Sequence, residues 1–263
     1  MGKIIAIANQ KGGVGKTTTT ISLADALINR GKRVLLLDLD PQGSLSSYLQ
    51  LDPDLVENTT YDLFDKVERI KPKDTGFEGL SIVGASVGLA NIEKKSASLQ
   101  GKGLVLNTWL DKQKSHYDFV LIDTPPALGM LMINALAACD RLVVPVQTEH
   151  LALKGLERMV KVLDMLAKSG RFIDYQIIPT MFDKRTNASV RTLEFLKNKY
   201  PDHLWTGVIP IDTKFREASR LGTPPSFLFS GSHGIVAYDE LTQSMLGESR
   251  EALKAESDVL EPA

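Results

Sequence analysis

The chain has 263 residues and a single cysteine, Cys139. One thiol excludes an internal disulfide, a cysteine-rich zinc site and an iron–sulfur cluster held by paired cysteines. Cys139 sits in an apolar stretch over 135–144 and reads as a small buried hydrophobe rather than a reactive thiol. No apolar run reaches the ~18 residues of a membrane-spanning helix. The first residues lead at once into a strand-like segment, which leaves no room for a signal peptide and makes the cytoplasm the expected address. Charge of one sign is lacking too, because 31 Lys and Arg stand against 32 Asp and Glu for a net of −1. That balance gives no global pull toward nucleic acid or membrane, so such affinity has to come from a local patch.

What is present suits one α/β domain over 1–263. Apolar residues make up 43% of the chain, enough for a sizeable core. Strand-like segments recur near 3–8, 33–38, 80–84, 118–123, 141–147, 175–179 and 205–209. Helical spacing falls between most of them, notably over 16–30, 100–115, 151–168 and 187–199. This alternation predicts a single doubly wound, mostly parallel sheet with helices on both faces. Residues 51–79 are the least regular stretch, with Pro53, Pro72, Gly76 and Gly79. No repeat, low-complexity tract or linker divides the chain.

The most informative segment is Gln10-Lys11-Gly12-Gly13-Val14-Gly15-Lys16-Thr17-Thr18. It is a P-loop in which Gln10 occupies the place of the usual leading glycine and Lys11 adds a second lysine. The buried-strand run Ile4-Ile5-Ala6-Ile7-Ala8 precedes it, and apolar residues at helical spacing (Ile21, Leu23, Ala24, Leu27, Ile28) follow. Strand, glycine loop and helix form the context that such a motif requires. Gly12, Gly13, Val14, Gly15, Lys16, Thr17 and Thr18 are therefore expected to cradle phosphates. Lys16 would reach the β- and γ-phosphates, and the Thr17 hydroxyl would sit on magnesium.

Two further strand patterns end in carboxylates. Arg33-Val34-Leu35-Leu36-Leu37-Asp38-Leu39-Asp40 places Asp38 and Asp40 on one face, and Phe119-Val120-Leu121-Ile122-Asp123 is stopped by Pro125 and Pro126. Ligands of parallel sheets sit outside the carboxyl ends of strands. Asp123 fits the role of holding magnesium, through water.

Together, Lys11 to Thr18, Asp38-Leu39-Asp40-Pro41-Gln42-Gly43 and Asp123-Thr124-Pro125-Pro126 resemble the deviant Walker-A, Walker-A′ and Walker-B motifs of the ParA/MinD ATPases. Val144 to Leu156, Val208-Ile209-Pro210, Phe215-Arg216-Glu217-Ala218 and Gly234 to Leu241 make the chain most similar to the ParA (Soj-like) branch, over about residues 1–250. The resemblance implies a P-loop NTPase fold with ATP and Mg2+ as cofactors. It further implies a homodimer on ATP binding, nonspecific DNA as a ligand of that dimer, a ParB-like partner that stimulates hydrolysis, and a nucleoid-associated protein that positions plasmid, chromosome or protein cargo. By the same resemblance Lys11 crosses the dimer interface to the partner's phosphates, Asp40 orients or deprotonates the attacking water, Asp38 supports the magnesium shell, and Met181 and Pro210 pack around the adenine.

Competing classes lack their signatures. The nitrogenase iron protein needs paired cysteines, Mrp-like carriers need Cys-x-x-Cys, and dethiobiotin-synthetase-like ligases lack the pairing of Lys11 with Lys16. A MinD-like regulator that acts at a membrane ends in a basic amphipathic helix. The acidic C-terminal helix and tail here, at about 238–263, carries seven acids and two bases between Asp239 and Glu261. That tail would be repelled by anionic lipid, so no membrane partner is expected. Candidate DNA-contacting bases are Lys184, Arg185, Arg191, Lys214, Arg216 and Arg220, with Arg216 and Arg220 on one face of a helix. Thr213-Lys214-Phe215-Arg216-Glu217-Ala218-Ser219 departs from the Val-Arg-Leu-Ser-Glu-Ala-Pro common among relatives.

Overall fold

The computed structural model describes residues 2–52, 58–64, 70–94 and 105–248. Seven strands form one sheet: β1 (Lys3–Ile7), β2 (Val34–Asp38), β3 (Lys73–Asp74), β4 (Leu80–Val83), β5 (Phe119–Asp123), β6 (Arg141–Gln147) and β7 (Asp174–Thr180). Their order across the sheet is β3-β4-β2-β5-β1-β6-β7. Every pairing is parallel except that of β3 with β4. The mostly parallel sheet expected from the alternation is the sheet observed.

Alternation along the strands sorts side chains onto two cores, because successive residues point to opposite faces. Ile4, Ala6, Leu35, Leu37, Val120 and Ile122 join one core. It is covered by α4 (Val105–Gln113), α5 (Met130–Ala138), α6 (His150–Lys168) and α7 (Asn187–Lys199). Ile5, Ile7, Val34, Leu36, Phe119 and Leu121 join the other. That face is covered by α1 (Lys16–Ile28), α2 (Ser44–Tyr48), α8 (Lys214–Leu221) and α10 (His233–Leu246). The remaining helices are α3 (Leu89–Lys94) and α9 (Ser226–Phe229). Helix α1 is buried on the sheet side and also against α10, where Thr19 and Tyr238 share a 2.8 Å hydroxyl hydrogen bond.

Two expectations change. The segment 205–209 is not a strand: Trp205 N–H and Ile209 N–H donate to the Ile177 and Pro179 carbonyls of β7 at 3.0 and 2.8 Å, and isolated bridges flank the segment, Ile177 with Leu204 and Phe182 with Pro210, but no continuous ladder forms. Between them Gly207 lies under the Trp205 indole, where a Cβ would meet the ring at 2.5 Å, and the chain leaves the ladder there. Conversely, the irregular region supplies β3, a two-residue antiparallel edge too short to show a period. The helix expected over 100–115 is observed as α4, its first residues lying outside the described ones. The acidic tail is described only as far as residue 248.

Candidate nucleotide-binding site

Parallel strands β1, β2 and β5 end together, since the register sets Asp123 beside Ile7 on one side and Asp38 on the other. From β1 the chain passes through Asn9, fully buried with its Nδ2 donating to the Pro145 carbonyl at 2.8 Å, into the glycine loop. Gly13 (φ 76°) and Gly15 (φ 91°) adopt left-handed backbone that L side chains rarely accept. Val14 between them is buried, and its carbonyl accepts from Thr180 Oγ1 on β7 at 2.8 Å, which fixes the loop to the sheet. Gly15 caps α1 without a side-chain acceptor, and no acid stands in the first turn. The open N–H groups and the positive end of the helix dipole therefore face the loop, the arrangement that binds anions.

Beneath the loop the charges are buried. Thr17 Oγ1 donates to Asp123 Oδ2 at 2.7 Å, and Thr20 Oγ1 reaches Oδ1 at 3.4 Å. Burial, reinforced by Asp38 alongside, pushes the Asp123 carboxyl well above the ordinary range. Asp38 is raised as well, chiefly by burial, and this is offset by donors from Ser46 N (2.8 Å), Ser46 Oγ (2.7 Å) and Asp40 N (3.1 Å). Lys16, 8% exposed, has its ammonium lowered by burial while Asp123 and Asp40 pull the other way. Asp40 accepts from Gln42 N at 3.0 Å and faces the cleft.

That cleft has a volume of about 540 Å³ and is lined by Gly12, Gly13 and Gly15 to Thr18 of the loop, with Val14 buried beneath it, by Asp40, Gln42, Ser44 and Tyr48, by Pro126 and Met181, and by Phe215, Arg216 and Ser219 of α8. The structure thus gathers Gly12, Gly13, Gly15, Lys16, Thr17, Thr18, Asp40 and Met181 around one space. Met181 holds a left-handed backbone (φ 53°), its carbonyl accepting from Thr148 Oγ1 at 3.3 Å. Asp38 stands one step behind the cleft as an acceptor for α2, Asp123 lies under Thr17, and Pro210 pairs with Phe182 without lining the space. Lys11 is half-buried at the loop's outer edge, against α6. There a Cβ on Gly155 would meet the Lys11 Cβ at 2.8 Å and Asn9 Oδ1 at 2.9 Å, so only glycine fits.

The basic candidates divide between two elements and α7. In the loop after β7, Lys184 is exposed and Arg185 forms two hydrogen bonds to Asp183, at 2.9 and 2.8 Å. On α8, Lys214 pairs with Glu217 at 3.1 Å and lies over the Phe229 ring. Arg216 and Arg220 are exposed and have no ion pair among the described residues; Arg191 is exposed on α7. Sequence reasoning did not single out Ser46, Thr180 or the α8 wall of the cleft. Ser46 is one of several small hydroxyls near it, and Arg216 becomes a cleft residue only once α8 folds back beside α2.

A glycine loop, an uncapped helix N-terminus and a strand-end aspartate at the carboxyl edge of a mostly parallel sheet define a P-loop NTPase. An AAA domain family model matches residues 2–177. The chain is 38% identical over 251 residues to the sporulation initiation inhibitor protein Soj of Bacillus subtilis (strain 168), covering 93% of this chain and 98% of that one. It is 34% identical over 251 residues to the chromosome partitioning protein ParA of Myxococcus xanthus (strain DK1622), covering 94% and 88%. Among solved structures it is similar to cobyrinic acid a,c-diamide synthase from Mycobacterium smegmatis with bound ATP analog and magnesium, at a TM-score of 0.80, 31% identity and coverage of 94% and 95%. The chain belongs to this AAA-domain family and, within it, to the ParA branch of the ParA/MinD superfamily.

Proposed function

We propose that this chain is an ATP-dependent, dimerising ATPase of the ParA type. In its ATP state it binds nonspecific DNA and positions or segregates plasmid, chromosome or protein cargo on the nucleoid. The observation that carries the nucleotide part of this reading is the 2.7 Å contact between Thr17 and Asp123, beneath a glycine loop whose helix N-terminus is open to an anion, and the likeness to Soj and ParA supports the rest. A hydroxyl and a carboxylate suit a hard cation that completes its shell with water and phosphate oxygens. Among the described residues no group of three or more His, Cys, Asp or Glu is arranged to hold a metal ion. Thr17 and Asp123 would hold Mg2+, and Asp38 would support them from behind. The ion would neutralise charge on the phosphate oxygens.

The other roles belong to the same reading. Loop N–H groups from Gly12 to Thr18 orient the phosphates and Lys16 neutralises them. Met181, with Pro210 behind Phe182, borders the base, and Asp40, with one oxygen held by Gln42 N, orients the attacking water. Lys11 would serve a second copy's phosphates, and dimerisation would complete the site. A ParB-like protein then stimulates turnover. Of the expected DNA contacts Lys184, Arg185, Lys214, Arg216 and Arg220, DNA affinity is assigned to all but Arg216, which lines the cleft, with doubling of phosphate contacts in the dimer. No described helix is long and apolar enough to cross a membrane.

The test is binding of purified protein to nonspecific duplex DNA with ATP, with ADP and without nucleotide, at two salt concentrations. ATP-specific, salt-sensitive binding is expected. Equal binding in all three states, or none, overturns the DNA part of the reading. An Asp40→Ala variant should accumulate as an ATP-bound dimer by light scattering; a monomer with ATP counts against the role given to Asp40.

A further inference from the structure

We propose that Arg216 is a nucleotide-contacting residue, reading the phosphate chain of the bound nucleoside triphosphate from α8, rather than a DNA contact. This rests on the nucleotide reading above and deepens it. Arg216 lines the same cleft as Lys16, Thr17 and Asp40. Its guanidinium is exposed and has no ion pair or hydrogen bond among the described residues, unlike Lys214 two residues earlier, which is occupied by Glu217 and Phe229. An unpaired guanidinium on a cleft built for polyphosphate meets an anion there by preference, since its planar fork matches phosphate oxygens.

Helix α8 is also held where this contact requires. Tyr48 Oη, at the end of α2, donates to the Thr223 carbonyl at 2.9 Å, and Gln50 Nε2 donates to the Leu221 carbonyl at 3.3 Å. Gly222 ends α8 in left-handed backbone (φ 65°), with the Gln50 side chain packed where a Cβ would fall, at 2.7 Å. Helix α2 is itself tied to the strand-end carboxylate through Ser46 and Asp38. The wall carrying Arg216 is therefore fastened, through α2, to the loop carrying Asp40. A charge arriving between them is felt by both elements.

The experiment measures affinity for ATP and ADP, by titration calorimetry, for the full chain and for Arg216→Ala and Arg216→Lys, with circular dichroism to check folding. Arg216→Ala should weaken ATP binding about tenfold, the value of one charge-assisted contact. ADP should be affected less, and Arg216→Lys should recover much of the loss. Unchanged ATP affinity in a folded Arg216→Ala overturns the proposal, whatever happens to DNA binding. If the unaltered chain itself fails to bind ATP, the nucleotide reading falls instead, so the two failures are distinguishable.

Discussion

Strand β5 is flanked by Asp118 where it begins and ended by Asp123, and the two carboxylates behave in opposite ways. Asp118 is partly solvated, accepts from the Arg33 backbone N–H at 2.8 Å and pairs with the Arg33 guanidinium at 3.3 Å. Those hydrogen bonds hold its carboxyl below the ordinary range. Asp123 is 1% exposed, and burial followed by Asp38 pushes it up to about 8. The contrast extends across the sheet. Where strands begin, solvated pairs such as Arg33–Asp118 and Arg141–Asp174 contribute little. Where they end, Asp38, Asp123 and Lys16 are buried together with their protonation disturbed, as expected of a site that waits for an outside charge. Burial at one edge of the sheet, rather than residue type, separates the aspartates proposed for the site from a surface one.

The largest effect should come from removing the cation of the buried edge. Lys16→Ala should weaken nucleotide binding by about 3 kcal/mol, roughly a hundredfold, because the phosphates would then face two buried carboxylates alone. Fluorescent-nucleotide titration measures this, and retained affinity would remove the P-loop assignment.

Asp123 gives the next test, in the nucleotide-free protein. Above the ordinary carboxylate value of 3.8 the unfolded chain is ionised at this residue, while the folded chain keeps its proton up to about 8. The folded state then binds more protons, so stability should fall as pH rises between those values. Asp123→Asn should flatten that slope in urea unfolding followed across the window; an unchanged slope would sever the link to Asp123. A smaller effect is expected from Ser46→Ala, which strips one donor from the buried Asp38 and should cost about 1–3 kcal/mol in denaturant unfolding. The smallest belongs to the other end of β5: Asp118→Asn should change stability by less than about 1 kcal/mol. If Asp118→Asn matched Ser46→Ala, the contrast between the two edges would fail.

Most of the sheet and the phosphate loop were legible from residues alone, for a physical reason. Buried parallel strands are continuous apolar runs, and a loop that must wrap an anion needs glycines at fixed places, as Gly13 and Gly15 show by their backbone. Asp38, Asp40 and Asp123 were legible because each ends such a run. Less visible was what depends on distant segments meeting. Ser46 acquires a role only because α2 returns its N–H and hydroxyl to Asp38, and Thr180 only because β7 lies beside the loop. The strand expected at 205–209 failed because Gly207 yields to the Trp205 ring, a contact between near neighbours that no period records. The basic residues were the least legible. Charge and helical spacing put Arg216 and Arg220 on one face, but only the fold shows that Arg216 borders the cleft.

The most direct test of the central claim, that the buried end of the sheet is a divalent-cation and triphosphate site, is calorimetric titration of ATP in Mg2+ and again in EDTA. Binding should be tight with Mg2+ and at least about tenfold weaker without it, because on the proposed reading Asp123 and Thr17 would hold the ion that neutralises the phosphates. Equal affinity in both buffers would contradict the account.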